Sequence, residues 1–136
     1  MSKVVYQIQK SFGKVKLYEK DDNLVIEFIP ILDGKEADSS DPNYCMIQID
    51  KPYLGEFLVT CRCFLHGIES SDFLFVRNRD ADDEVVVRLY KDRQKNEEEC
   101  WLRLVTGKTE EKRKRIRLTK RDLVCISTAL EAIIFD

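Results

Sequence analysis

The sequence predicts an α+β protein made of two β-β-β-β-α repeats, whose curved antiparallel sheets each keep one face under the helices. Three observations point there. Two stretches, VKLYEKDDNLVIEF (residues 15–28) and VRLYKDRQKNEEECWLRL (residues 87–104), each read as strand, charged turn, strand. Two more, IQIDK (47–51) and IRLTK (116–120), resemble one another and each leads into a segment with helical spacing. The offsets agree: Ile47 to Ile116, Leu54 to Leu123, Phe57 to Ile126 and Leu65 to Ile134 all differ by 69, and Val15 to Val87 by 72. Fixed-offset self-similarity is the signature of one supersecondary unit written twice. The expected organisation is a single domain, with repeat 1 over residues 1–69 and repeat 2 over residues 70–136.

In repeat 1, VVYQIQKSF partly alternates and stops at a turn marked by Gly13. KVKLYEK and LVIEFIPI follow on either side of a polar turn at residues 20–23, both rich in β-branched and aromatic residues. Pro30 stands near the end of the third strand, where a missing N–H is tolerated. DGKEADSSDPN (33–43) reads as a long polar loop and YCMIQI as the fourth strand.

Residues 53–67 fit two patterns. Leu54, Phe57, Leu58, Cys61, Leu65 and Ile68 recur at helical spacing behind Asp50 and Pro52, yet Phe57, Val59, Cys61, Cys63 and Leu65 also alternate as in a strand. The repeat decides for helix, because the aligned segment TKRDLVCISTALEAIIFD is plainly one. Thr119 and Asp122 form a capping-box pair, and Leu123, Ile126, Leu130 and Ile133 or Ile134 mark one face. The strands expected before it are DFLFVRN, EVVVRLYKD, ECWLRLVT and KRIRL.

At 136 residues, with 43% hydrophobic and 35% charged, the chain is long enough for one packed core and unlike a disordered tail. No apolar run approaches the roughly 20 residues that span a bilayer, and the N-terminus lacks a signal-peptide pattern. Five irregularly spaced cysteines argue for a reducing, intracellular setting, cytoplasmic or nuclear. Net charge is −3 over residues 1–71 and +1 over residues 72–136, with arginine concentrated in the second half.

Strand periodicity then assigns faces. With Val85, Val87, Leu89, Leu102, Leu104, Ile116 and Leu118 turned inward, Val86, Arg88, Tyr90, Trp101, Arg103, Arg115 and Arg117 share the outer face. In repeat 1 the same rule leaves Lys16 and Tyr18 outside, beside Val25 and Glu27. Cations interleaved with aromatic rings suit single-stranded nucleic acid: rings stack on unpaired bases and cations neutralise phosphates. A wet sheet face carrying ordinary Arg, Tyr and Trp is the bland counterpart.

The segment VVVRLYKDRQKNEEECWLRLVTGKTEEKRKRIRLTKRDLVCISTALEAII (85–134) is similar to the PUR-repeat proteins. Their relatives are the Whirly proteins and the transcriptional positive-cofactor coactivators. The shared order is strand, charged turn, strand with a central aromatic, basic loop, then an I-x-L-(S/T) step into an amphipathic helix. The resemblance implies a non-enzymatic protein that binds single-stranded DNA or RNA on its exposed sheet face, as a homodimer or a paired-repeat unit. Carried onto this chain, the implied contacts are Arg88, Tyr90, Trp101, Arg103, Arg115 and Arg117, with Lys16 and Tyr18 as repeat 1's counterparts. The other functional expectation is a module that grips a protein partner through the same sheet face or a sheet edge, since Arg and aromatics also dominate protein hot spots.

Other constellations read as structural. On a helix, Cys61 and Cys63 of CRCFLH point about 200° apart and cannot share an ion, and His66 is the chain's one histidine. No Gly-rich phosphate loop is present. The acidic pairs Asp82–Asp83 and Glu97–Glu99 fall in expected turns, and KRKR (112–115) reads as a localisation signal, an RNA contact or a hairpin arm. Neither catalytic group nor cofactor is expected.

Overall fold

The computed structural model describes residues 2–94, 97–106 and 113–135. Repeat 1 comprises β1 (Ser2–Gln9), β2 (Gly13–Lys20), β3 (Asn23–Leu32), the short β4 (Lys35–Glu36) and β5 (Cys45–Ile49). A single 3₁₀ turn (Lys51–Tyr53) then leads into α1 (Leu54–Leu65). Repeat 2 comprises β6 (Phe73–Arg77), β7 (Val85–Gln94), β8 (Glu97–Thr106), β9 (Arg113–Leu118) and α2 (Lys120–Ile134). All strand pairs are antiparallel: β1-β2-β3-β5 with β4 on the end of β3, and β6-β7-β8-β9. The α+β class and the helix at residues 53–67 are thus as the sequence predicts. The loop at 33–43 differs slightly, because it opens with β4. Asp33 and Gly34 both have positive φ, 52° and 78°, which is the two-residue turn that folds a hairpin back on itself.

The repeat offsets are reproduced in burial. Phe57 and Ile126 are both fully buried, as are Val15 and Val87, and Leu54 and Leu123 sit at matching places in the core. The buried residues of both sheets and both helices form one continuous cluster.

The helices lie side by side and each reaches across to the other repeat's sheet: α1 meets β6 and β7, and α2 meets β1 and β3 as well as its own β9. Phe57 of α1 stacks on Phe73 of β6 with centroids 4.6 Å apart. The Tyr6 hydroxyl of β1 donates to Asp122 Oδ1 of α2 at 2.9 Å. Asp122 also closes the expected capping box, accepting from the Thr119 N–H at 2.9 Å while its own N–H donates to Thr119 Oγ1 at 3.1 Å. Burial, and then Asp122, raise the Tyr6 pKa well above the ordinary tyrosine value. An ion pair, Arg62–Glu131, ties α1 to α2. With the helices between them on the inner side, the sheets turn their other faces outward.

Candidate nucleic-acid interface

Inward residues on β7–β9 are those expected: Val87, Leu89, Leu102, Leu104, Ile116 and Leu118 are buried, and Val85 packs against them. Alternate positions therefore face outward, and the pairing register sets them in rows across the strands. Arg88 pairs with Arg103, which pairs with Arg115. Tyr90 pairs with Trp101, which pairs with Arg117. One step further, Asp92 pairs with Glu99. The outer face of this sheet is thus banded: an arginine row, an aromatic row and a carboxylate row.

The arginine row is the informative one. Like charges directly opposite one another on neighbouring strands are destabilising. Here three guanidiniums stand side by side where any polar residues would satisfy a wet sheet face. Arg88 and Arg117 of this face meet carboxylates within the chain. Arg88 donates from Nε (3.0 Å) and Nη2 (2.6 Å) to Asp72 Oδ2, and Arg117 Nη2 lies 3.4 Å from Glu99 Oε1.

The rings are not bare. The Arg88 guanidinium lies over Tyr90, 4.4 Å from the ring centroid, and that of Arg115 lies over Trp101 at 4.0 Å. Tyr90, expected as an exposed platform, is only 7% accessible and Trp101 is half-buried. The face assignment stands, but the rings are covered, because a cation over an aromatic face is favourable and the neighbouring arginines are within reach. The Trp101 indole N–H is buried and has no hydrogen-bond partner among the described residues.

Repeat 1 places Lys16 and Tyr18 at the positions of Arg88 and Tyr90, but the rest of the site is not repeated. Lys16 pairs with Glu27 and then Met46, where repeat 2 has arginines. Tyr18 pairs with Val25 and then Gln48, where repeat 2 has Trp101 and Arg117. Tyr18 donates to Glu27 Oε1 at 2.7 Å, and Tyr44 donates to the other carboxylate oxygen. Burial first, and then the bond to Glu27, push the Tyr18 hydroxyl up to about 12. The same two causes push Tyr44 above the ordinary tyrosine value. Tyr18 and Glu27 line a depression of about 430 Å³ together with Lys20, Met46 and Arg77. Arg77 is held there by Asp50 at 3.0 Å.

Two residues of the banded face, and one that holds it from outside, went unread in the sequence. Glu99 was expected in a turn; β8 in fact begins at Glu97, so Glu99 lies in the strand and on the outer face. Extending the period-2 reading from Arg103 and Trp101 by one step would have found it, and the same step from Tyr90 reaches Asp92. Asp72 has no periodic signal, because it precedes β6 and acts through the fold. Of KRKR, Lys112 lies outside the described residues, as does the rest of the basic loop at 107–112.

Helical geometry separates the two cysteines of CRCFLH: Cys61 is fully buried while Cys63 is half-exposed on another side of α1. Burial pushes the Cys61 thiol up to about 12. Among the described residues no group of three or more His, Cys, Asp or Glu is placed to hold a metal, and no helix is long and apolar enough to cross a membrane. No protein-family model and no curated protein matches the chain.

Proposed function

We propose that the protein binds single-stranded nucleic acid, DNA or RNA, on the outer face of the β6–β9 sheet without catalysing a reaction. The observation that carries this reading is the in-register row Arg88–Arg103–Arg115 beside the row Tyr90–Trp101–Arg117. A phosphate backbone running across the strands over the arginine row offsets the like-charge repulsion, and its bases then fall on the aromatic row. Arg115 moves from the Trp101 ring to a phosphate and a base takes its place, a stacking contact worth about 1–3 kcal/mol. Lys16 and Tyr18 of repeat 1 are at most peripheral contacts, because Glu27 stands where an arginine stands in repeat 2.

Fluorescence anisotropy of labelled single-stranded DNA and RNA, set against duplex over a salt series, tests the proposal. Micromolar or tighter binding to single strands that weakens as salt rises is the expected result, with the slope counting phosphate contacts. No binding at low salt sinks it.

A second reading, a protein-interaction module that works as a monomer or homodimer, is favoured by one observation. The outer face of the β1–β5 sheet carries exposed Val4 and Met46 beside Tyr18, Tyr44 and Glu27, without an arginine row. A pull-down in which Met46→Asp releases the captured protein supports this reading, and retention by that variant rejects it.

A further inference from the structure

The outer face of β7 and β8 carries the same three-part pattern twice, in register. Along β7 the outward residues run Arg88, Tyr90, Asp92; along β8 they run Arg103, Trp101, Glu99. The pairing sets Arg88 against Arg103, Tyr90 against Trp101 and Asp92 against Glu99. Each strand thus presents cation, ring and carboxylate at successive same-face positions, about 7 Å apart, and the two strands lie about 4.8 Å apart. A ligand matching this pattern has two linked units, each with an anion at one end, a flat ring in the middle and a hydrogen-bond donor at the far edge.

From this arrangement we infer that β7 and β8 form a dinucleotide subsite that selects bases bearing an exocyclic amine. The inference rests on the single-strand reading and adds base preference to it. Once Arg88 and Arg115 leave the Tyr90 and Trp101 rings for phosphates, bases take the ring row and their outer edges face Asp92 and Glu99. A carboxylate only accepts hydrogen bonds at neutral pH. Cytosine offers it the N4 amine and adenine the N6 amine. Thymine and uracil present carbonyl oxygens on both sides of their single ring N–H, and the carboxylate repels these.

Glu99 is suited to such a role by its support. Its side chain is 15% exposed and is positioned by Arg117 Nη2 at 3.4 Å, and Arg117 is itself the cross-strand partner of Trp101. Ring and acceptor are therefore held by one framework. Repeat 1 lacks the pattern: the strand that corresponds to β8 reads Glu27, Val25, Asn23 at the matched positions.

The test compares oligo-dC with oligo-dT of equal length by anisotropy at one fixed salt concentration, in the wild type and in Asp92→Asn, Glu99→Gln and the double variant. Both oligomers are pyrimidine runs, so the comparison turns on the base edge. Removing a negative charge tightens binding to any nucleic acid, so the dC/dT ratio is the readout rather than either affinity. The expected result is a wild-type preference for oligo-dC of about tenfold, the lower range for a specific base-edge contact. It should shrink in each single variant and vanish in the double one, with oligo-dT binding retained. Equal or tighter binding of oligo-dT by the wild type overturns the inference, as does an unchanged ratio in a double variant whose circular dichroism is native; either leaves the single-strand reading standing. No binding of any oligomer at low salt overturns both. Asp92→Asn keeps the test alive if Glu99→Gln fails to fold, since it leaves the Glu99 and Arg117 side chains themselves unaltered.

Discussion

The guanidinium of Arg115 lies 4.0 Å from the centroid of the Trp101 ring, reached diagonally across the strand boundary, since Arg115 pairs with Arg103. Trp101 is the chain's single tryptophan, so its emission reports on this one place. Adding single-stranded oligonucleotide should change the intensity as a base displaces the guanidinium, and Arg115→Ala should change the emission of the free protein. Trp101→Ala should weaken binding about fivefold or more, from the loss of one stacked base. An emission spectrum unmoved by saturating oligonucleotide would place the binding site elsewhere.

Leu102 separates binding from folding. It neighbours Trp101 in sequence but points into the core and is 1% accessible. Leu102→Ala should lower stability by about 2–5 kcal/mol through the cavity it leaves. Trp101→Ala should cost much less, because its ring sits on the outer face. Chemical denaturation of the two variants checks the contrast, and equal losses would contradict the face assignment.

Arg103 sits in the middle of the arginine row. Arg103→Gln removes one like charge from between two others and so relieves repulsion along the row. Binding to single strands should weaken, with the salt slope smaller by about 1 if a phosphate contact is lost. A lower midpoint with unchanged binding would make Arg103 a structural residue instead.

Gly13 is set by a close approach. A Cβ built there lies 2.5 Å from Cζ of the Phe28 ring, inside the core of repeat 1. Gly13→Ala should cost about 1–3 kcal/mol, the usual range for overpacking. Thermal unfolding measures it, and Phe28→Leu in the same chain should recover part of the loss.

Alkaline pH gives a fifth check. Tyr18 has its folded pKa raised to about 12, and the unfolded value lies near the ordinary 10.0. The folded state therefore holds this proton more tightly, and the resulting stability is fully present below pH 10. It is lost as pH rises through about 12. Tyr44 acts in the same direction through Glu27. Tyrosinate absorbance should show these groups ionising late, and Glu27→Gln should bring the transition to lower pH.

Much of this architecture was legible because the chain repeats itself. Residues 53–67 alternate well enough to be a strand, and only their alignment with the capped helix after Thr119 decides the matter. The faces of β7–β9 followed from period 2. What the pattern could not show was cover and partnership. Tyr90 is nearly inaccessible because Arg88 folds over it, and Arg88 is held by Asp72 from outside the strand. Those contacts depend on side-chain reach in three dimensions, which periodicity does not encode. The strand boundary mattered too: with Glu99 read as half of a turn pair at the very edge of the expected strand, the carboxylate row goes unseen, whereas β8 begins two residues earlier, at Glu97.

The crossing of each helix onto the other repeat's sheet has a consequence for how such a chain is assembled. Neither half can be completed by its own residues: β1 waits for Asp122, and β6 needs Phe57, which was made before it. During synthesis the first sheet leaves the ribosome long before its cover does, so the last helix is the closing step for both halves. A half-length fragment would find its missing cover in a second copy of itself, with the exchange made between molecules. Joining the halves in one chain removes that need for identity. The buried positions must still fit each other, while the two outer faces become free to take different work.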